Sequence, residues 1–117
     1  MIADYGPERI WLCSLQDVPE GAATGVRVDT PAGQRDLILV RHNEDCLAYL
    51  NSCPHTGVSL DWQPGQFLDS SGKWLQCSTH GALFRMEDGL CIYGPCVNRF
   101  LTALQTEIVE GQVYLQT

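Results

Sequence analysis

Cys53-Pro54-His55-Thr56-Gly57 and Cys77-Ser78-Thr79-His80-Gly81-Ala82 are the two ends of one stretch, and each end carries one thiol and one imidazole followed by glycine. A lone Cys or His is most often a buried thiol or a surface imidazole. Four in this order, Cys53, His55, Cys77 and His80, form instead a candidate metal-ligand set. Two thiolates and two imidazoles suit a tetrahedral zinc ion or an iron–sulfur cluster. The order separates these possibilities. A Cys₂His₂ zinc finger gathers its thiols in one short span and its imidazoles in another. Here each span holds one of each, which suits a two-iron cluster with both thiolates on one iron and both imidazoles on the other. A zinc site remains the alternative.

The pattern Cys53-x-His55, then 21 residues (56–76), then Cys77-x-x-His80 resembles the ligand motif of the Rieske [2Fe–2S] family. Asn51-Ser52, Gly57, Gly81, Phe84, Glu87-Asp88-Gly89 and Gly94-Pro95 extend the resemblance, which runs roughly from Val26 to Leu115. The gap between the ligand pairs is a few residues longer than the family's commonest spacing. Gln63-Pro64-Gly65 and Ser70-Ser71-Gly72 read as turns within it.

The resemblance implies an all-β fold of stacked antiparallel sheets. A base built from both chain ends would carry a cluster-binding part inserted at about 51–97, all within a single domain spanning 1–117. Cys53, His55, Cys77 and His80 would bind one Rieske-type [2Fe–2S] cluster. Gly57 and Gly81 would allow tight loops with backbone N–H groups aimed at the sulfides. Gly94-Pro95 resembles a third loop that covers the cluster.

High-potential members of the family carry an extra Cys in each ligand loop, and a Ser and a Tyr whose hydroxyls bond cluster sulfurs. The matching positions here are Val58, Thr79, Ala82 and Phe84. Hydrogen bonds to sulfur favour the reduced state, so their loss lowers the potential. The implied function is that of a low-potential ferredoxin, passing single electrons from a flavoprotein reductase to a terminal oxygenase, with no catalytic residues of its own. A small Rieske-like subunit of a larger oxidoreductase, such as nitrite reductase, or a structural zinc-binding module would be the alternatives.

Composition narrows the partners. Seven Lys and Arg against 14 Asp and Glu leave a net charge of −7. Nucleic acid and anionic membrane surfaces select basic patches, so neither is expected, and a basic protein surface is the natural complement. The N-terminal residues Met1 to Pro7 have neither the basic nor the long apolar region of a signal peptide. A cytoplasmic location is the expectation.

Of the six Cys, four lie outside the ligand set. Cys13 and Cys46 fall in apolar, strand-like stretches and read as small buried hydrophobes. Cys91 and Cys96 flank the Tyr93-Gly94-Pro95 turn, where a disulfide is conceivable but a reduced pair is favoured in a reducing compartment. His42 lies in a polar stretch and reads as solvated.

Short apolar runs punctuated by turns predict strands throughout. They fall at Ile10–Cys13, Gly25–Asp29, Asp36–Arg41 and Cys46–Leu50, then Gly81–Arg85 paired with Leu90–Tyr93, and finally 101–109 and Val113–Leu115. Asp36–Arg41 is an apolar strand that should be covered on both faces.

Overall fold

The computed structural model describes residues 9–31, 33–54, 57–61, 63, 65–77 and 81–116. The described residues form ten strands: β1 (Arg9–Ser14), β2 (Ala23–Thr30), β3 (Gly33–His42), β4 (Asp45–Leu50), β5 (Trp74–Gln76), β6 (Leu83–Arg85), β7 (Cys91–Tyr93), β8 (Ala103–Leu104), β9 (Thr106–Val109) and β10 (Gln112–Gln116). A single 3-10 turn at Leu15–Asp17 is the only helical element among them. Three antiparallel sheets result, in the orders β1-β10-β9, β2-β3-β4-β8 and β5-β6-β7. The expected all-β class and stacked sheets are therefore present. Among the described residues no helix is long and apolar enough to cross a membrane.

The apolar run of β3 explains the stacking. Successive strand residues point to opposite faces. Ile38 and Val40 join Tyr49 of β4 in a buried cluster with Cys53, Leu60, Phe67, Leu75, Cys77, Ala82 and Phe84. Leu37 and Leu39 face the other way, joining Cys46 and Ala48 in a second cluster with Leu12, Cys13, Val18, Val113 and Leu115. The β2-β3-β4-β8 sheet is thus the middle layer. The terminal strands cover one face, and the segment between β4 and β8 covers the other. Leu37, Ile38, Leu39 and Val40 are all fully buried, as a strand covered on both faces requires.

Cys13 and Cys46 are buried, and His42 is exposed at the end of β3. A register shift between Trp11 and Cys13 in the β1–β10 pairing lets the adjacent Leu12 and Cys13 both turn inward.

Some sequence expectations need correction. Residues 101–109 are not one strand: β8 pairs with β4 in the middle sheet, while β9 pairs with β10 in the terminal sheet. The chain changes sheets at Gln105, so a single apolar stretch serves two layers. The strand expected from Gly81 begins only at Leu83, because Gly81 has φ of 64° and belongs to the preceding turn.

The long connection between the ligand pairs folds into a hairpin that extends β5. Gln76 N–H donates to Phe67 O at 2.7 Å, and Asp69 N–H to Trp74 O at 3.0 Å. The expected turn at Ser70–Gly72 closes it. The Asp69 carboxylate accepts from the Ser71 hydroxyl at 2.8 Å. The other expected turn is closed by Gln66 N–H on Gln63 O at 2.8 Å, although Pro64 lies outside the described residues. Phe67 docks the hairpin on the middle sheet at Gly25, where a Cβ would stand 3.0 Å from Phe67 Cζ.

Candidate metal centre

The chain leaves β4 at Leu50 and enters the first ligand loop under the control of Asn51. Asn51 Oδ1 accepts the Leu60 N–H at 2.7 Å, and its Nδ2 donates to Asp61 Oδ1 at 3.3 Å. The side chain thereby ties the beginning of the loop to its exit. Within the loop Cys53 N–H donates to Val58 O at 2.8 Å, and Gly57 N–H to Cys53 O at 2.7 Å. Gly57 takes φ of 80°, which lets the turn close without a Cβ penalty.

The second loop repeats the arrangement at the end of β5. Cys77 N–H donates to Ala82 O at 2.8 Å, again to the carbonyl five residues on. Gly81, like Gly57, lies at positive φ immediately before that carbonyl residue. Both candidate ligand cysteines therefore donate to the carbonyl of the residue that follows a positive-φ glycine, a likeness that reaches past their identities to the backbone. Cys53 and Cys77 are both buried, in one apolar cluster with Ala82, Phe84, Cys91 and Cys96.

Residues 94–99 form the third loop. Gly94 has φ of 104°, and a Cβ there would lie 2.8 Å from the Ala82 Cα. Backbone thus packs on backbone between the third loop and the end of the second. On the other side Arg99 Nη1 donates to the carbonyl of Pro54 at 3.2 Å, strapping the third loop to the first. Val58 and Val97 on these loops, and Tyr93 and Phe100 flanking the third, are exposed although largely apolar, with Tyr93 at 63%.

His55 and His80, with Thr79, lie outside the described residues. Among the described residues no group of three or more His, Cys, Asp or Glu could hold a metal. The described part of the proposed set is Cys53 and Cys77. Their chemistry fits an iron–sulfur cluster. Two thiols, each at the head of an equivalent turn and walled by apolar side chains, provide soft ligands shielded from water. Ala82 and Phe84 are completely buried beside them, and neither carries a hydroxyl. Val58 is 42% exposed and brings no thiol to the first loop.

Sequence reasoning missed the roles of Asn51 and Arg99. Asn51 stood in the quoted motif without a function, and nothing local marks an arginine whose partner is 45 positions away. It also left Cys91 and Cys96 unresolved. The two are free thiols, both buried, with their sulfurs 3.0 Å apart. The Cys96 thiol is pushed up to about 12, first by burial, then by its hydrogen bond to Cys91, with Cys53 also contributing.

The Rieske [2Fe–2S] domain model matches residues 8–110, and the chain belongs to that family. Its cofactor is accordingly a Rieske-type [2Fe–2S] cluster. The fold is similar to that of the ferredoxin of carbazole 1,9a-dioxygenase from Nocardioides aromaticivorans IC177, with a TM-score of 0.68 and 19% identity over 92% of this chain and 95% of that one. A ferredoxin from Sphingomonas yanoikuyae B1 superposes with a TM-score of 0.73 and 19% identity, covering 94% of this chain and 99% of that one. The terminal oxygenase of carbazole 1,9a-dioxygenase from Novosphingobium sp. KA1 matches with a TM-score of 0.72 and 19% identity, covering 95% of this chain but 30% of its own. No curated protein matches the chain.

Proposed function

We propose that this protein is a one-electron carrier, a ferredoxin component that receives electrons from a flavoprotein reductase and delivers them to a terminal oxygenase. Cys53, His55, Cys77 and His80 are the ligands in this reading. They sit in a cluster-binding part at about 51–97, within a single Rieske domain that works in the cytoplasm. The observation that carries it is the pair of equivalent turns presenting Cys53 and Cys77, beside loops whose apolar side chains remain exposed. Ferredoxins of similar fold, one of them described in a complex of reduced oxygenase and oxidised ferredoxin, support the direction of transfer.

The bound cluster supplies a site that takes up and releases one electron. This chain's own residues do the rest. The thiolates of Cys53 and Cys77 and the imidazoles of His55 and His80 would hold it. Phe84, Leu75 and Leu60 exclude water from behind the thiols. Arg99 and Gly94 hold the third loop against the other two. That Ala82 and Phe84 offer no hydroxyl to sulfur supports a potential toward the negative end of a range of about −150 to +300 mV.

Protein purified without air tests this reading. It should be red-brown, with iron and acid-labile sulfide in equal amounts, and voltammetry should place it at that negative end. Reduced protein should then lose its electron to a Rieske oxygenase in stopped-flow mixing. Stoichiometric zinc with no visible absorption would overturn the proposal, and so would a strongly positive potential for its low-potential part.

A further inference from the structure

Two buried thiols flank the turn into the third loop, and the Cys96 thiol also hydrogen-bonds Cys53. Cys91 lies at the start of β7 and Cys96 in the turn that follows. The backbone holds them face to face. Cys91 N–H donates to Arg99 O at 2.8 Å, Asn98 N–H to Cys91 O at 3.1 Å, and Arg99 N–H to Cys96 O at 2.9 Å. Within that closed loop the Cys96 thiol donates to Cys91 Sγ at 3.0 Å, while Cys91 Sγ donates to Tyr93 O at 3.3 Å.

We propose that Cys91 and Cys96 are a reversible dithiol–disulfide couple, a redox-modification site under the third loop that takes a low-molecular-weight disulfide as its oxidant. The geometry is already close. A disulfide needs its sulfurs at about 2 Å, so closure requires roughly a further 1 Å of approach. The surrounding cover is one turn thick: Pro95, Val97, Asn98 and Arg99 are all exposed, whereas Cys96 between them is buried. Opening that turn alone admits the reagent.

The exchange balances. One sulfur attacks the reagent's S–S bond and releases one small thiol. The second sulfur then attacks the mixed disulfide, forming the Cys91–Cys96 bond and releasing another. The two S–H protons leave with the two small thiols, and the two electrons given up by the protein sulfurs reduce the reagent. The ring closed by residues 91–96 is short, so the bond removes little entropy from the unfolded chain and stays easy to reduce. That makes it reversible.

The proposal goes beyond the electron-carrier reading and does not depend on which partner the protein serves. Cluster-loaded protein is equilibrated without air against oxidised glutathione, then denatured and alkylated. Accessible thiols should fall from the six of the sequence to four. Cleavage after Tyr93 should leave two fragments joined through Cys91 and Cys96, and excess reduced dithiothreitol should restore all six thiols and the starting visible spectrum. Cys91→Ala or Cys96→Ser should abolish the linkage. Six alkylatable thiols after prolonged exposure would overturn the proposal. A linkage through any other pair, or thiol loss in step with loss of the cluster's absorbance, would overturn it equally.

Discussion

Gly94 carries a double constraint. Its φ of 104° lies where side chains are rarely found, and its missing Cβ is replaced by the Ala82 backbone at 2.8 Å. Gly72 also sits at positive φ, 76°, but has nothing within 4 Å of the Cβ position. The pair separates conformational strain from steric exclusion. Gly72→Ala should cost about 1 kcal/mol from backbone strain alone. Gly94→Ala should cost more, about 2–4 kcal/mol, because the third loop must also withdraw from the second. Thermal melts of the two variants check this. A smaller shift for Gly94→Ala than for Gly72→Ala would show that the loops do not meet as described. Gly94→Ala should also release iron faster, since the third loop covers the thiols.

At the scale of the element, β4 joins the middle sheet to the metal centre, and Tyr49 fixes how the β6–β7 turn lies on it. Its hydroxyl donates to Met86 O at 2.7 Å, and its ring occupies the space that a side chain at Gly89 would take. Burial pushes the phenol up to about 12 from its ordinary value of 10, with the charges of Asp88 and Glu87 adding to the shift. The folded state therefore favours the neutral phenol. Its stabilising contribution is complete below pH 10 and is lost as pH rises toward 12, a change of about 2–3 kcal/mol. Tyr49→Phe should lose about 1 kcal/mol at neutral pH, because the Met86 carbonyl loses its donor. The variant should then lack this part of the alkaline destabilisation. Urea unfolding at pH 7 and pH 11 measures both effects. Equal alkaline losses in the two proteins would assign the effect to other groups.

For the whole molecule, charge governs encounter. Seven more acidic than basic residues give an extended negative field that guides the protein to a basic partner surface. Salt shortens its reach, to a Debye length of about 10 Å at 0.1 M. The bimolecular rate of electron transfer to a basic reductase or oxygenase face should fall at least several-fold over a tenfold rise in ionic strength. Stopped-flow rates that stay flat would place recognition on the exposed apolar side chains Val58, Tyr93, Val97 and Phe100 instead.

The amino-acid sequence by itself determined the class of cofactor and the architecture's class. Interleaved Cys and His are local in the chain, and alternating apolar residues broken by turns are local too, so both could be read without coordinates. The two-sided burial of β3 was legible for the same reason: four consecutive apolar residues leave a strand no solvent face. Only the tertiary structure decided what depends on loops closing over long separations. The likeness of the two ligand turns lies in backbone bonds, Cys53 to Val58 and Cys77 to Ala82, that residue identities do not encode. The division of residues 103–109 between two sheets follows from which strand edges β4 and β10 leave open. The hold of Arg99 on Pro54 exists because the third loop folds back over the first. Chemistry was written in the spacing of residues, whereas proximity came from the packing of three layers.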